Sequence, residues 1–145
     1  MYMKKILNFS IIGVLLILFA TQFAGCKKDT GNADIQLSYQ MLSDKTWYLD
    51  FSIVGSTKRT YVGQSTYFID FLKNKTTVDS DGLSGLYTIE KVGGKLQIHV
   101  QAKTANTNPV EYIYTIETIG ADNLILTYTT TGSTIPTKLY FSTSK

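Results

Sequence analysis

Apolar and polar residues alternate along seven separate stretches of this chain, between Trp47 and Phe141. In the first stretch every second residue from Trp47 to Ile53 is apolar or aromatic, whereas Asp50 and Ser52 lie between them. Successive side chains of a β-strand point to opposite faces, so this alternation predicts half-buried strands. The segments between the stretches are rich in Gly, Asn, Asp and Ser, which is typical of tight turns. The seven predicted strands are 47–53, 67–71, 87–89, 96–100, 112–116, 124–128 and 139–141.

Short strands joined by short turns favour antiparallel pairing between neighbours in the sequence. Such a sheet closes most readily into an up-and-down β-barrel of about eight strands, because closure removes the two exposed edges. A two-sheet β-sandwich needs the same single apolar face on each strand and remains the alternative. The pattern therefore predicts an all-β domain over residues 43–145.

Residues 1–25 differ from the rest of the chain and have the layout of a secretory signal peptide. Two lysines, Lys4 and Lys5, stand near the start, and no charged residue follows from Ile6 to Gly25. An apolar block from Ile11 to Ala20 fills the middle. A membrane-spanning helix needs about 20 apolar residues, so this shorter block with small exit residues predicts a cleaved signal.

The sequence Phe23-Ala24-Gly25-Cys26 resembles the lipobox of bacterial lipoproteins, in which small residues precede the cysteine that is lipidated. Cys26 is the only cysteine of the chain, so an intramolecular disulfide is impossible. The resemblance implies that Cys26 carries acyl chains such as palmitate. These chains would anchor the mature protein to a membrane without a spanning helix. Because no aspartate follows the cysteine directly, we expect the outer membrane, on its periplasmic face or at the cell surface.

Residues 26–42 are expected to hold the lipidated Cys26 and a flexible tether. The segment begins with small and polar residues, which is typical of a flexible linker. Its last residues, Leu37 to Leu42, could form a short helical turn that plugs or flanks the β domain.

Residues 42–143 resemble the lipocalin-like domains of small bacterial lipoproteins. The resemblance is carried by LSDKTWYL at 42–49, YFIDF at 67–71, GLYTI at 85–89 and the segment 116–126. Lipocalins begin their first strand with Gly-x-Trp, and here Trp47 is present while Lys45 holds the glycine position. Their last strand carries an arginine, and here Lys138 is the only basic residue of that strand. The resemblance implies a barrel that binds or carries a small apolar ligand.

Aromatic residues are concentrated on the predicted inner face of the strands. They either fill a solid core, since an eight-stranded barrel is only just wide enough for side chains, or they line a small-ligand pocket. Tyr112 shares this face with the binding candidates. The residues that we expect to bind a ligand are Trp47, Phe51, Tyr67, Phe71, Tyr87, Tyr114 and Tyr128.

The chain offers few groups for catalysis or metal binding. His99 is the only histidine, and its alternation with Ile98 and Val100 directs it away from the core into solvent. A metal site would need further His or Cys ligands. The sequence Asp79-Ser80-Asp81-Gly82 lacks the remaining ligands of a calcium loop and is predicted to be a plain turn. We therefore expect no enzyme activity, no metal and no cofactor.

Charge argues against a nucleic-acid partner. The 14 basic and 11 acidic residues give a net charge of +3, and loss of the signal peptide would bring it closer to zero. The basic residues are scattered, and Arg59 is the only arginine, whereas nucleic-acid binders gather such residues on one face. The alternative to a ligand-binding barrel is an interaction module. Its loops, such as 55–64 and 103–108, would hold a protein or a glycan.

Overall fold

The computed structural model describes residues 30–62, 67–104 and 108–144. The signal peptide and Cys26 lie outside the described residues. All the strands, and the helix from its second residue on, belong to one compact unit, Gly31–Lys145. The elements in chain order are α1 (Thr30–Leu42), β1 (Lys45–Val54), β2 (Thr57–Thr60), β3 (Phe68–Phe71), β4 (Thr76–Asp79), β5 (Ser84–Val92), β6 (Lys95–Lys103), β7 (Val110–Ile119), β8 (Asn123–Tyr128) and β9 (Thr137–Ser142).

The strands form a closed antiparallel barrel. From β3 onward each strand pairs with the next along the chain, and β1 pairs with both β3 and β9. The contact between β1 and β9 runs from Tyr48 opposite Ser142 to Val54 opposite Thr137. It joins the first and last strands, so β1 and β3 to β9 make an eight-stranded barrel to which β2 adds a ninth strand. The prediction of an up-and-down barrel is confirmed, and the two-sheet sandwich is excluded.

Two short strands share one edge of β1. The first half of β1 pairs with β3, and its second half pairs with β2. The backbone N–H of Tyr61 donates to Asp50 O at 2.7 Å, and that of Leu49 donates to Tyr67 O at 2.9 Å. The adjacent residues Leu49 and Asp50 of β1 therefore form hydrogen bonds to the two ends of the segment that connects β2 with β3.

A β-bulge in β1 changes which side chains face the barrel interior. The register with β9 shifts between Leu49 and Phe51, and a bulge of this kind inserts an extra residue into one strand. Beyond it Ser52 is buried, whereas Phe51 stacks on Tyr140 with ring centroids 4.2 Å apart. The expectation that Phe51 faces inward is therefore wrong, because strict alternation does not survive a bulge.

Helix α1 covers one end of the barrel, which we call the closed end. Leu42 is fully buried, and its carbonyl accepts a hydrogen bond of 3.0 Å from Trp47 Nε1. The hydroxyl of Tyr39 accepts the backbone N–H of Ile89 at 2.8 Å, and Asp34 forms an ion pair with Lys91 at 2.7 Å. Most of the segment expected to be a flexible tether over 26–42 is thus a helix attached to β1 and β5. Leu37 to Leu42, the expected helical turn, form its second half.

The closed end is filled by side chains. Phe71 and Tyr87 meet edge to face at 5.0 Å, and Trp47 is inaccessible to solvent. The other buried apolar residues of the core are Leu42, Leu49, Ile69, Ile89, Ile98, Val100, Ala102, Leu124, Leu126 and Phe141. No helix within the described ranges is long and apolar enough to cross a membrane.

Candidate ligand-binding site

The opposite end of the barrel, which we call the open end, contains a cavity of about 680 Å³. It lies where β1 ends at Val54 and where β8 ends at Tyr128. Its wall combines apolar residues, four tyrosines, small hydroxyl residues and one arginine. The lining residues are Leu49, Val54, Leu139, Tyr61, Tyr67, Tyr114, Tyr128, Ser52, Thr57, Thr137 and Arg59.

Two tyrosines of neighbouring strands form one side of the cavity. Tyr114 of β7 meets Tyr128 of β8 edge to face, with ring centroids 5.6 Å apart. Tyr112, two residues before Tyr114, stacks on it at 6.3 Å. Burial raises the pKa of Tyr114 above its usual range, and the neighbouring Tyr128 and Tyr112 raise it further. Tyr114 therefore stays protonated and presents a neutral hydroxyl next to an aromatic surface.

A buried carboxylate fixes a third tyrosine of the cavity. The hydroxyl of Tyr67 donates to Asp79 Oδ2 at 3.0 Å. The other oxygen, Oδ1, accepts the backbone N–H groups of Asp81 and Leu83, each at 2.9 Å. Burial raises the pKa of Tyr67, and the negative charge of Asp79 adds to the effect. Tyr67 is thus held neutral and in place at the inner wall.

The strand register brings Arg59 and Ser52 to the same face. Arg59 of β2 lies directly opposite Ser52 of β1, and paired residues of an antiparallel ladder project to the same side of the sheet. Ser52 is buried, and its Oγ lies 3.4 Å from the hydroxyl of Tyr61. The side chain of Arg59 is therefore directed to the cavity, which Ser52 and Tyr61 also line.

The seven residues predicted to bind a ligand fall into three groups. Tyr67, Tyr114 and Tyr128 line the cavity, as the alternation suggested. Phe51 lies on the outer face because of the bulge in β1. The remaining three belong to the packed core of the closed end and lie away from the cavity, namely Trp47, Phe71 and Tyr87.

Sequence reasoning missed the polar side of the cavity. Arg59 and Thr57 belong to β2, whose sequence TKRT contains no apolar residue and gives no strand signal. Strict alternation predicts Ser52 on the outer face, and the bulge in β1 turns it inward. The only signal that points to β2 is Val54-Gly55-Ser56-Thr57, where Gly55 has a φ of 60° and allows a tight hairpin turn.

The remaining polar candidates form no reactive cluster in the described part of the chain. No group of three or more His, Cys, Asp or Glu residues there could hold a metal ion. The turn Asp79–Gly82 is built around the Asp79 carboxylate, whose oxygens accept protein hydrogen bonds. His99 was expected in solvent, but its side chain is only 22% exposed, and Nδ1 lies 3.5 Å from the Glu111 carboxylate.

Comparisons with family models, with curated proteins and with solved structures found nothing that matches this chain. A barrel of this kind serves many unrelated functions, so the cavity and its side chains carry the functional inference.

Proposed function

We propose that this protein binds a small apolar or amphipathic molecule in the open end of its barrel and is held at a membrane by lipid on Cys26. The observation that carries the proposal is the cavity of about 680 Å³. Ligand sites of proteins have volumes of roughly 300 to 1,000 Å³ and combine apolar or aromatic walls with a few polar groups. In this cavity the tyrosines and leucines supply the apolar and aromatic wall, and the hydroxyls supply the polar groups.

The cavity exists because the two ends of the barrel are filled differently. An eight-stranded barrel is just wide enough for its side chains to fill it. At the closed end the large residues Trp47, Phe71 and Tyr87 occupy the interior. At the open end the inward positions of β1 and β9 carry Ser52 and Thr137, which leave space beside the tyrosines of β7 and β8.

A cavity-filling variant tests ligand binding. Nile red, a neutral apolar dye, should bind the purified protein with a dissociation constant of about 1 µM, roughly 8 kcal/mol. Thr137→Tyr inserts a ring into the cavity and should weaken binding by about tenfold or more, roughly 1.4 kcal/mol. The matched control is Lys138→Tyr, which adds the same side chain to the outer face of β9.

Fluorescence titration of the dye measures all three affinities, and circular dichroism confirms the fold of each variant. Absence of dye binding to the wild-type protein contradicts the proposed function. Equal weakening by Thr137→Tyr and Lys138→Tyr would place the dye elsewhere on the barrel.

A second candidate function is an interaction module that binds a protein partner through its connecting segments. It is favoured by large apolar side chains that are exposed in the connecting segments, including Val62 at 61% and Ile135 at 51%. Exposed apolar side chains of this size are available to contact a partner. A double variant, Val62→Ser with Ile135→Ser, separates the two functions. It should leave the affinity for Nile red unchanged. It should abolish chemical crosslinks to neighbouring envelope proteins only if these two side chains contact a partner.

A further inference from the structure

We infer that the cavity is selective for amphipathic molecules with a carboxylate head group, bound with the carboxylate at Arg59 and the apolar tail among the tyrosines. The inference rests on the proposed function and names the class of ligand. The inference goes beyond the proposed function by assigning the polar end of the ligand to one side chain of β2.

The position of Arg59 is the first reason. Its register partner is the buried Ser52, and Arg59 itself lines the cavity while remaining exposed. The preceding residue, Lys58, lies on the opposite face, where its Nζ sits 3.9 Å from the centre of the Phe51 ring. Of these two adjacent cations, only Arg59 is directed to the cavity.

The charge balance of the cavity is the second reason. Arg59 is the only charged residue among those that line it in the described part of the chain. None of the carboxylates that the structure describes forms an ion pair with Arg59. Asp79 lies behind Tyr67, and three protein donors already engage its carboxylate. The cavity therefore offers one cation that no described acid neutralises.

The chemistry of the guanidinium group is the third reason. Arginine presents a planar fork of N–H donors that matches a carboxylate, and such charge-assisted pairs are stronger than neutral hydrogen bonds. The hydroxyls of Ser52 and Tyr61, 3.4 Å apart, lie on the same wall and add donors for the same head group. The tail would then extend inward along Leu49 and Leu139 toward Tyr114 and Tyr128. A ligand with an apolar head gains nothing from this arrangement.

Calorimetric titration with decanoate and decanol tests the inference, because these probes share one tail and differ in the head group. The wild-type protein at neutral pH should bind decanoate about tenfold more tightly than decanol. This ratio is at the low end of the range for a hydrogen bond to a charged group, because Arg59 is partly exposed to water. Arg59→Gln should remove this preference. Lys58→Gln, which removes the adjacent outward cation, should preserve it, and Arg59→Lys should retain part of it.

The possible outcomes separate this inference from the proposed function. Equal affinities for the two probes in the wild-type protein, or an unchanged preference in Arg59→Gln, overturn the carboxylate selectivity and leave the cavity as a binding site for neutral molecules. Failure of both probes and of Nile red to bind removes the proposed function itself. A preference that Lys58→Gln abolishes as well would assign it to general surface charge, which contradicts a role for Arg59 alone.

Discussion

The Asp79 carboxylate is buried beside the cavity, and both of its oxygens accept hydrogen bonds from the protein. A buried carboxylate is tolerated when donors replace the water that it loses. Here two donors come from the backbone of the following turn, and the third is the hydroxyl of Tyr67. Asp79 thus links the shape of the β4–β5 turn to the position of a residue in the cavity wall.

Asp79→Asn should destabilise the protein by about 1 to 3 kcal/mol, because a neutral amide accepts weaker hydrogen bonds and brings donors of its own. Urea denaturation measures the change in the free energy of unfolding. Asp81→Asn, an exposed position in the same turn, should change that free energy by less than about 0.5 kcal/mol. Similar losses in both variants would show that the turn depends on overall charge and that the hydrogen bonds of Asp79 are secondary.

Tyr114 should make the folded protein sensitive to alkali. Its pKa is raised by burial in the folded state, whereas an unfolded tyrosine titrates near 10. The unfolded chain therefore loses this proton first as the pH rises. The stability that Tyr114 contributes is fully present below about pH 10 and is lost as the pH rises above it.

Tyr114→Phe removes this titration without removing the ring. Its free energy of unfolding should stay within about 1 kcal/mol of wild type at neutral pH, and it should fall less steeply than wild type above about pH 10. Chemical denaturation at a series of pH values gives both curves. Parallel curves through the alkaline range would mean that Tyr114 ionises as freely in the folded protein as in the unfolded chain.

At the scale of elements, helix α1 covers the closed end of the barrel and packs against its core. Its apolar contacts with the core come from Ile35, Tyr39 and Leu42, which recur at the spacing of one helix face. The sequence contains this spacing, but Leu37 and Met41 are apolar as well and add an alternating pattern to the same segment. The two patterns overlap, so the sequence predicts a helical turn over the last six residues alone.

Leu42→Ala should cost about 2 to 5 kcal/mol, the range for emptying a buried aliphatic site. The control on the same helix is Leu37→Ala, because Leu37 is 54% exposed. That variant should change the free energy of unfolding by no more than about 0.5 kcal/mol. Equal effects in thermal or urea denaturation would contradict the packing of α1 against the barrel.

The strands show where alternation is a reliable guide and where it is not. All seven strands predicted from apolar alternation are present, as β1, β3 and β5 to β9. The two that were missed, β2 and β4, lack an apolar inner face. In β4 the buried residues are Thr77 and Asp79, whereas Val78 between them is 39% exposed. In such a strand the inward residues are polar and form hydrogen bonds inside the barrel, whereas the outward residue is apolar. The usual alternation, with apolar residues inward, is therefore reversed, and the strand is not recognised.

The aromatic part of the candidate site could be predicted from the sequence, but its polar part could not. Tyr67, Tyr114 and Tyr128 follow from the alternation of apolar and polar residues. The inward position of Ser52 depends on a bulge, and that of Arg59 depends on β2, a strand without apolar residues. Apolar periodicity in a single sequence reveals neither. Whether an inner-face aromatic lies in the core or in the cavity depends on which end of the barrel it occupies, and only the three-dimensional register provides that information.

For the whole molecule, the proposed lipid anchor on Cys26 gives a direct prediction. Cys26→Ala removes the thiol that would carry the acyl chains, so the protein should leave the membrane fraction for the soluble periplasm or remain unprocessed. Cell fractionation and metabolic labelling with a palmitate analogue detect the two effects. The control is Lys27→Ala, which should keep both label and location. Undiminished labelling of Cys26→Ala would contradict the anchor.

The pairing of β1 with β9 also governs how the chain reaches its folded state. These strands lie at opposite ends of the domain sequence, so the barrel cannot close until nearly all of the domain has been synthesised. Folds dominated by such distant pairings form in milliseconds to seconds, slower than those built from local contacts. During that interval an edge of β1 has no partner, and unpaired strand edges invite association with other chains. The rate at which β9 pairs with β1 therefore sets how long this edge stays open to association with other chains.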